Sequence, residues 1–116
     1  MMNSMSDRDI AQEVIKNPRI RILLVSEYLK DSCMHLFQIF KLLPCQVKLQ
    51  YNNTELTVKD RGEENIFEPT IRASSAQRIF IGPHYDLIVI YSAIDTTDTA
   101  KLSGMIDQAG RLVRHW

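Results

Sequence analysis

Two short stretches of unbroken apolar sequence constrain this chain more than any other feature. Ile22-Leu23-Leu24-Val25 closes the segment that starts at Arg19, and Leu87-Ile88-Val89-Ile90 follows Asp86. A strand with one wet face alternates polar and apolar residues, whereas a strand apolar at every position suits a parallel sheet covered on both faces. Parallel neighbours need a long crossover between them, usually a helix. The two runs therefore predict an α/β protein with these strands as neighbours or near neighbours at the sheet centre.

The segments around them fill out that plan. Ser6 is a good N-cap with Asp9 three residues on, and Ile10, Val14 and Ile15 predict a short amphipathic helix over 7–16, stopped by Asn17-Pro18. Residues 1–6 read as a frayed tail. Asp31 or Ser32 caps a second helix whose apolar face is Leu36, Phe37, Ile39, Phe40 and Leu43, with Pro44 ending it. Residues 46–51 and 54–59 alternate with period two around Asn52-Asn53, which predicts a hairpin on a type I′ turn. Pro69 breaks any pattern over 63–77, which reads as irregular. Arg78–Ile81 is a short strand candidate ending at Gly82-Pro83. In the last segment Leu102, Met105, Ile106, Ala109, Leu112, Val113 and Trp116 recur with helical spacing. That predicts an amphipathic helix, although Gly104 and Gly110 each cost about 1 kcal/mol relative to Ala. The expected fold is one domain over 1–116: a small open sheet of four or five strands, with three helices packed on it and a right-handed crossover through 31–43. The alternative is α+β, with hairpins at 46–59 and over Arg78–Tyr91.

Several chemistries are disfavoured. Lys plus Arg and Asp plus Glu are each 14, so the net charge is zero and the basic surplus of a nucleic-acid binder is missing. No apolar run approaches a membrane span, and the first residues have no apolar core of a secretory signal. With Cys33 and Cys45 as the two cysteines, this reads as a reduced, cytoplasmic chain, a disulfide between them being the minor alternative. The four glycines, Gly62, Gly82, Gly104 and Gly110, lie far apart, so no phosphate-cradling loop and no nucleotide cofactor is expected. No Gly-x-Ser-x-Gly elbow surrounds any serine, and His35, His84 and His115 are scattered. His35 reads as a helix-surface or edge residue. Cys33 and His35 are two apart, which on a helix does not make them face one ligand, so no metal is expected.

Arg21-Ile22-Leu23-Leu24-Val25-Ser26-Glu27, followed by Asp31 and a helix, is similar to the opening of response-regulator receiver domains. Tyr85–Tyr91 resembles their third strand. The resemblance covers about a third of the chain. It implies a flavodoxin-like or receiver-like sheet. It also implies that the metal-binding acidic pair falls on Ser26 and Glu27, leaving one acid, and that the phosphate-accepting aspartate falls on Tyr91, which cannot form an acyl phosphate. The implied class is a degenerate, phosphorylation-independent receiver that works through protein contacts. Tyr85–Trp116 also resembles the fourth strand and following helix of class I methyltransferases, but the glycine-rich loop of that family is missing.

The function expected from these features is a non-enzymatic regulatory or protein–protein interaction module, self-associating or bound to another protein. Its expected seam is the last helix, through Leu102, Met105, Leu112, Val113 and Trp116. The alternative is a small-ligand or nucleotide-binding protein or enzyme subunit. It would use loops at the carboxyl ends of the strands, with Glu27, Tyr28, Asp95 and Asp98 around the pocket. Glu27 and Asp95 could hold magnesium through waters there, but Asp95 is equally one of several helix-cap candidates.

Overall fold

The computed structural model describes residues 3–44, 46–59, 69–76, 85–91 and 106–115. In chain order the elements are β1 (Asn3–Met5), α1 (Asp7–Lys16), β2 (Ile22–Ser26), α2 (Leu29–Leu42), β3 (Leu49–Tyr51), β4 (Glu55–Val58), β5 (Ile71–Ser75), β6 (Tyr85–Ile90) and β7 (Ile106–His115). The strands form one sheet in the order β1-β7-β6-β2-β5-β4-β3. The first five in that order run parallel, and the β3–β4 hairpin adds an antiparallel edge beside β5.

The two apolar runs lie side by side as expected. β2 pairs in parallel with β6, Ile22 opposite Leu87 and Val25 opposite Ile90, and every side chain of β2 is buried. Alternate residues go to opposite faces. Ile22, Leu24, Leu87 and Val89 join Ile10, Val14, Leu36 and Ile39 in the larger core, so both α1 and α2 cover one face. Leu23, Val25, Ile88 and Ile90 join Tyr85 in a second buried cluster on the other face. Each fully buried Leu or Ile contributes about 1.5–3 kcal/mol relative to exposure, which makes these rows the main source of stability. No described helix is long and apolar enough to cross a membrane.

α1 spans the predicted residues and carries a full capping box. Ser6 Oγ accepts from the Asp9 N–H at 3.2 Å, and Asp9 Oδ2 accepts from the Ser6 N–H at 3.0 Å. The β3–β4 hairpin also forms, with its turn shifted by one residue. Asn52 Oδ1 accepts from the N–H groups of Thr54 and Glu55 at 2.9 and 2.8 Å, and the Asn52 N–H reaches the Glu55 carbonyl at 3.0 Å. Asn52 therefore closes the turn from outside, and Asn53-Thr54 forms its tip.

Three segments depart from expectation and raise the sheet from four or five strands to seven. Residues 3–5 belong to β1, paired in parallel with β7 (Asn3 opposite Val113), rather than to a frayed tail. Residues 71–75, read as irregular, form β5 against β2. Its Ala73, Ser74 and Ser75 carry little strand propensity. Side-chain hydrogen bonds compensate, with the Ser74 hydroxyl donating to the Leu24 carbonyl at 2.9 Å.

The third departure is the C-terminal segment. Ile106–His115 is strand β7, and the expected third helix does not form there. β6 is buried on both faces, and the backbone along its free edge needs a partner more than this segment needs a helix. β7 meets that need with an irregular register. Tyr85 and Leu87 on β6 face Ile106 and Arg111 on β7, so β7 carries extra residues around Gly110. Because β6 runs parallel to both neighbours, the alternative hairpin over Arg78–Tyr91 is also excluded on the Asp86–Tyr91 side. The short strand expected at Arg78–Ile81 lies outside the described residues.

Candidate functional site

Along the parallel part of the sheet the order β5-β2-β6-β7 reads second, first, third, fourth, the doubly wound order of flavodoxin-like folds. β1 occupies the place beside β7. The chain leaves β2 through α2 toward the β5 side and leaves β6 toward β7, so the connections part between β2 and β6. In open α/β sheets that parting point, at the carboxyl ends of the strands, is where ligands bind.

The side chains at this edge form two linked polar groups. The first joins Ser26 at the end of β2 to Ser32 in the first turns of α2, with the two Oγ atoms 2.7 Å apart, and Ser32 Oγ lies 2.7 Å from the Ser74 carbonyl. A carbonyl only accepts, so the single Ser32 proton goes to it and the Ser26 hydroxyl donates to Ser32. These groups are buried and mutually satisfied.

The second group joins three elements. Asp7 in the first turn of α1 faces His35 of α2, with Nδ1 3.0 Å from Oδ2. A carboxylate only accepts, so the ring carries its proton on Nδ1. The Tyr91 hydroxyl, just past β6, donates to Asp7 Oδ1 at 3.3 Å. The rings of His35 and Tyr91 are stacked, centroids 3.9 Å apart and planes 18° from parallel. Burial, and then the nearby Asp7 charge, push the Tyr91 hydroxyl far above its ordinary pKa, so it stays protonated. Nothing in the sequence pattern linked these three residues, because they come from separate segments and meet only through the sheet order.

The residues expected around a ligand pocket are only partly placed. Glu27 and Tyr28 follow β2 and are exposed, and Tyr28 is the N-cap of α2 without a side-chain cap bond. Asp95 and Asp98 lie outside the described residues. Among the described residues no group of three or more His, Cys, Asp or Glu side chains is placed to hold a metal ion. Cys33 is a free, half-buried thiol whose pKa burial raises, and Cys45 lies outside the described residues.

Of the residues expected to form a helical seam, the two that are described, Leu112 and Val113, do not share a face. Leu112 and Val113 are consecutive on β7 and go to opposite sides of the sheet. Val113, only 2% exposed, joins the core under the helices, and Leu112 packs against the second cluster. Leu102, Met105 and Trp116 lie outside the described residues.

Among the described residues, most of the exposed large apolar side chains are on α2. Of the six large apolar side chains that are exposed among the described residues, Leu29, Met34, Phe37 and Leu42 belong to α2 and Tyr28 to its N-cap. Phe37, expected on the buried face, is 43% exposed, and Met34 is 54% exposed. Leu36 and Ile39 are buried, which turns Lys30, Met34, Phe37 and Lys41, at i, i+4, i+7 and i+11, to the outer face of the helix. Beside this line Phe40 stacks on Tyr51 of β3, centroids 4.5 Å apart, and Phe37 lies 6.2 Å from Tyr51. A helical wheel drawn from Leu36 and Ile39 alone would have found this outer stripe.

No protein-family model matches the chain, and no curated protein matches it.

Proposed function

We propose that the chain is a non-enzymatic, phosphorylation-independent interaction module of receiver-like type. It works in the cytoplasm and docks another protein chain, a second copy or a different one, on the outer face of α2. The observation that carries this reading is the concentration of exposed large apolar side chains on one helix. Scattered exposed apolar residues are ordinary, but Met34 and Phe37 adjoin on the outer face of this helix, as the side chains of an interaction surface do. Tyr91 at the end of β6 supports independence from phosphoryl transfer, because the receiver's phosphate-accepting position then carries a buried phenol. The test is a photo-crosslinking amino acid placed at Phe37 in the native cells, with the exposed Gln12 of α1 as control position. A discrete adduct from Phe37 and none from Gln12 is expected, and equal labelling from both positions would remove the reading.

A second reading is favoured by the parting of connections between β2 and β6, which sets Ser26, Asp7, His35 and Tyr91 at one edge. There a small ligand would sit near Glu27 and Tyr28, with Asp95 and Asp98 as further candidates. It predicts a rise in melting temperature with magnesium or a nucleotide, by mass action. The interaction module predicts none.

A further inference from the structure

We infer that the parallel part of the sheet is a circularly permuted doubly wound unit, in which β1–α1 is the fifth strand–helix unit carried ahead of the first. Counted from β2, the strands β2, β5, β6 and β7 stand in the order second, first, third, fourth, and β1 fills the fifth place beside β7. It runs parallel to β7, with Asn3 opposite Val113 and Met5 opposite His115. The β3–β4 hairpin falls within the connection from β2 to β5 and leaves this order intact.

The helices agree with the strand order. Right-handed crossovers place all connections that run the same way along a sheet on the same face. The connection through α2, from β2 to β5, and the connection through α1, from β1 to β2, both run toward the β5 side. Ile10, Ala11 and Val14 of α1 accordingly share one core with Leu36 and Ile39 of α2. A strand merely added to the rim of the sheet would need no helix in that core. What holds β1–α1 in place also does not run through its link to β2. Asp7 meets His35 and Tyr91, and Arg111 reaches Glu13. In the link Asn17, Pro18 and Arg19 are exposed, and the N–H groups of Arg19 and Ile20 turn back to Asn17 at 3.2 and 3.0 Å. The place of the unit is therefore set by its contacts, and the link can be opened once β7 is joined to β1 instead. That join runs from one edge of the sheet to the other, so it takes a crossover of about a dozen residues or more.

Two proteins test this, both with Cys33→Ser and Cys45→Ser, and with Asn3→Cys and Val113→Cys as a reporter of register. Neighbouring strands lie about 4.8 Å apart, within reach of a disulfide. The first protein closes Trp116 to Met1 through a helical linker and keeps every other link. The second carries the same linker and opens between Asn17 and Pro18, so that residues 18–116 precede 1–17. Both should form the bridge, as read by thiol titration. With the bridge reduced, the second should unfold cooperatively in urea, at a midpoint within about 1 M of that of the unpermuted linear chain with the same substitutions. A second protein that is unfolded by circular dichroism, or folds without the bridge, while the first is native would overturn the inference, because β1 would then need its link to β2. A first protein that loses the fold would overturn it as well, because the fourth and fifth places could not then be joined.

Discussion

Arg111 on β7 holds Glu13 on α1 with both ends of its guanidinium, Nη1 3.0 Å from Oε1 and Nη2 2.9 Å from Oε2. The pair fastens the first helix to the last described strand. It lies along a shallow groove lined by Met5, Asp9, Gln12, Lys16 and Val113.

That pair sets a pH signature. The hydrogen bond from Arg111 holds the Glu13 carboxyl below its ordinary range. A carboxyl whose pKa is depressed on folding adds stability above its unfolded value of about 4.3 and loses it as the pH falls through the folded value. The Arg111 side chain is 46% exposed and screened by solvent, so Arg111→Ala should cost no more than about 1 kcal/mol at neutral pH. Urea denaturation at pH 7 and at pH 3 should show that cost shrinking in acid. A cost unchanged at pH 3 would mean that Arg111 acts through packing alone.

Tyr91 should behave in the opposite direction. Burial, reinforced by Asp7, holds it protonated in the fold, whereas in the unfolded chain it ionises near pH 10. Stability from this residue is therefore present below about pH 10 and lost as the pH rises beyond it. Ultraviolet titration of the native chain against Tyr91→Phe should show no difference in ionisation until the alkaline unfolding transition. A phenol that ionises reversibly in the folded chain and vanishes in the variant would contradict this.

Ser26 and Ser32 should be coupled. Ser32→Ala leaves the Ser74 carbonyl and the Ser26 hydroxyl without their partner, at about 1–3 kcal/mol. Once Ser32 is gone, Ser26→Ala should add little. A double-mutant cycle by chemical denaturation should give a combined cost well below the sum of the single costs, and strict additivity would separate the two hydroxyls.

Adjacent residues of α2 should differ sharply. Leu36 is fully buried and Phe37 is not, so Leu36→Ala should cost about 2–5 kcal/mol and Phe37→Ala under about 1 kcal/mol. On β7, Val113→Asp should abolish folding, since it places a charge in the core beneath the helices. A folded Val113→Asp chain by circular dichroism would put β7 outside the core.

What the sequence disclosed follows the range of each signal. Ile22–Val25 and Leu87–Ile90 announced a buried parallel pair because burial on both faces leaves no polar position. Ser6 and Asp9 announced α1 because capping is local. β5 stayed hidden because Ala73, Ser74 and Ser75 owe their strand to β2 and α2, far away in sequence. β7 misled because apolar residues at helical spacing also serve a strand whose Leu112 and Val113 reach the two sides of the sheet, and only the open edge of β6 decides between them. The Asp7–His35–Tyr91 group was invisible for the same reason as β5, and Phe37 was read onto the inner face of α2 because its apolar character alone does not show that Leu36 and Ile39 turn it outward.

The pairing of β1 with β7 bears on the order in which the chain assembles during synthesis. β1 is among the first described residues to leave the ribosome, and its one sheet neighbour among the described residues, β7, is among the last. Until β7 emerges, the backbone of β1 has no described strand to join, and the outer edge of β6 is without this partner as well. The nascent chain can consolidate β2, β5 and the helices early, but its two unpaired edges close together, in one late step. Through that interval a chaperone, or a neighbouring nascent chain, has the best access to the apolar face of β6.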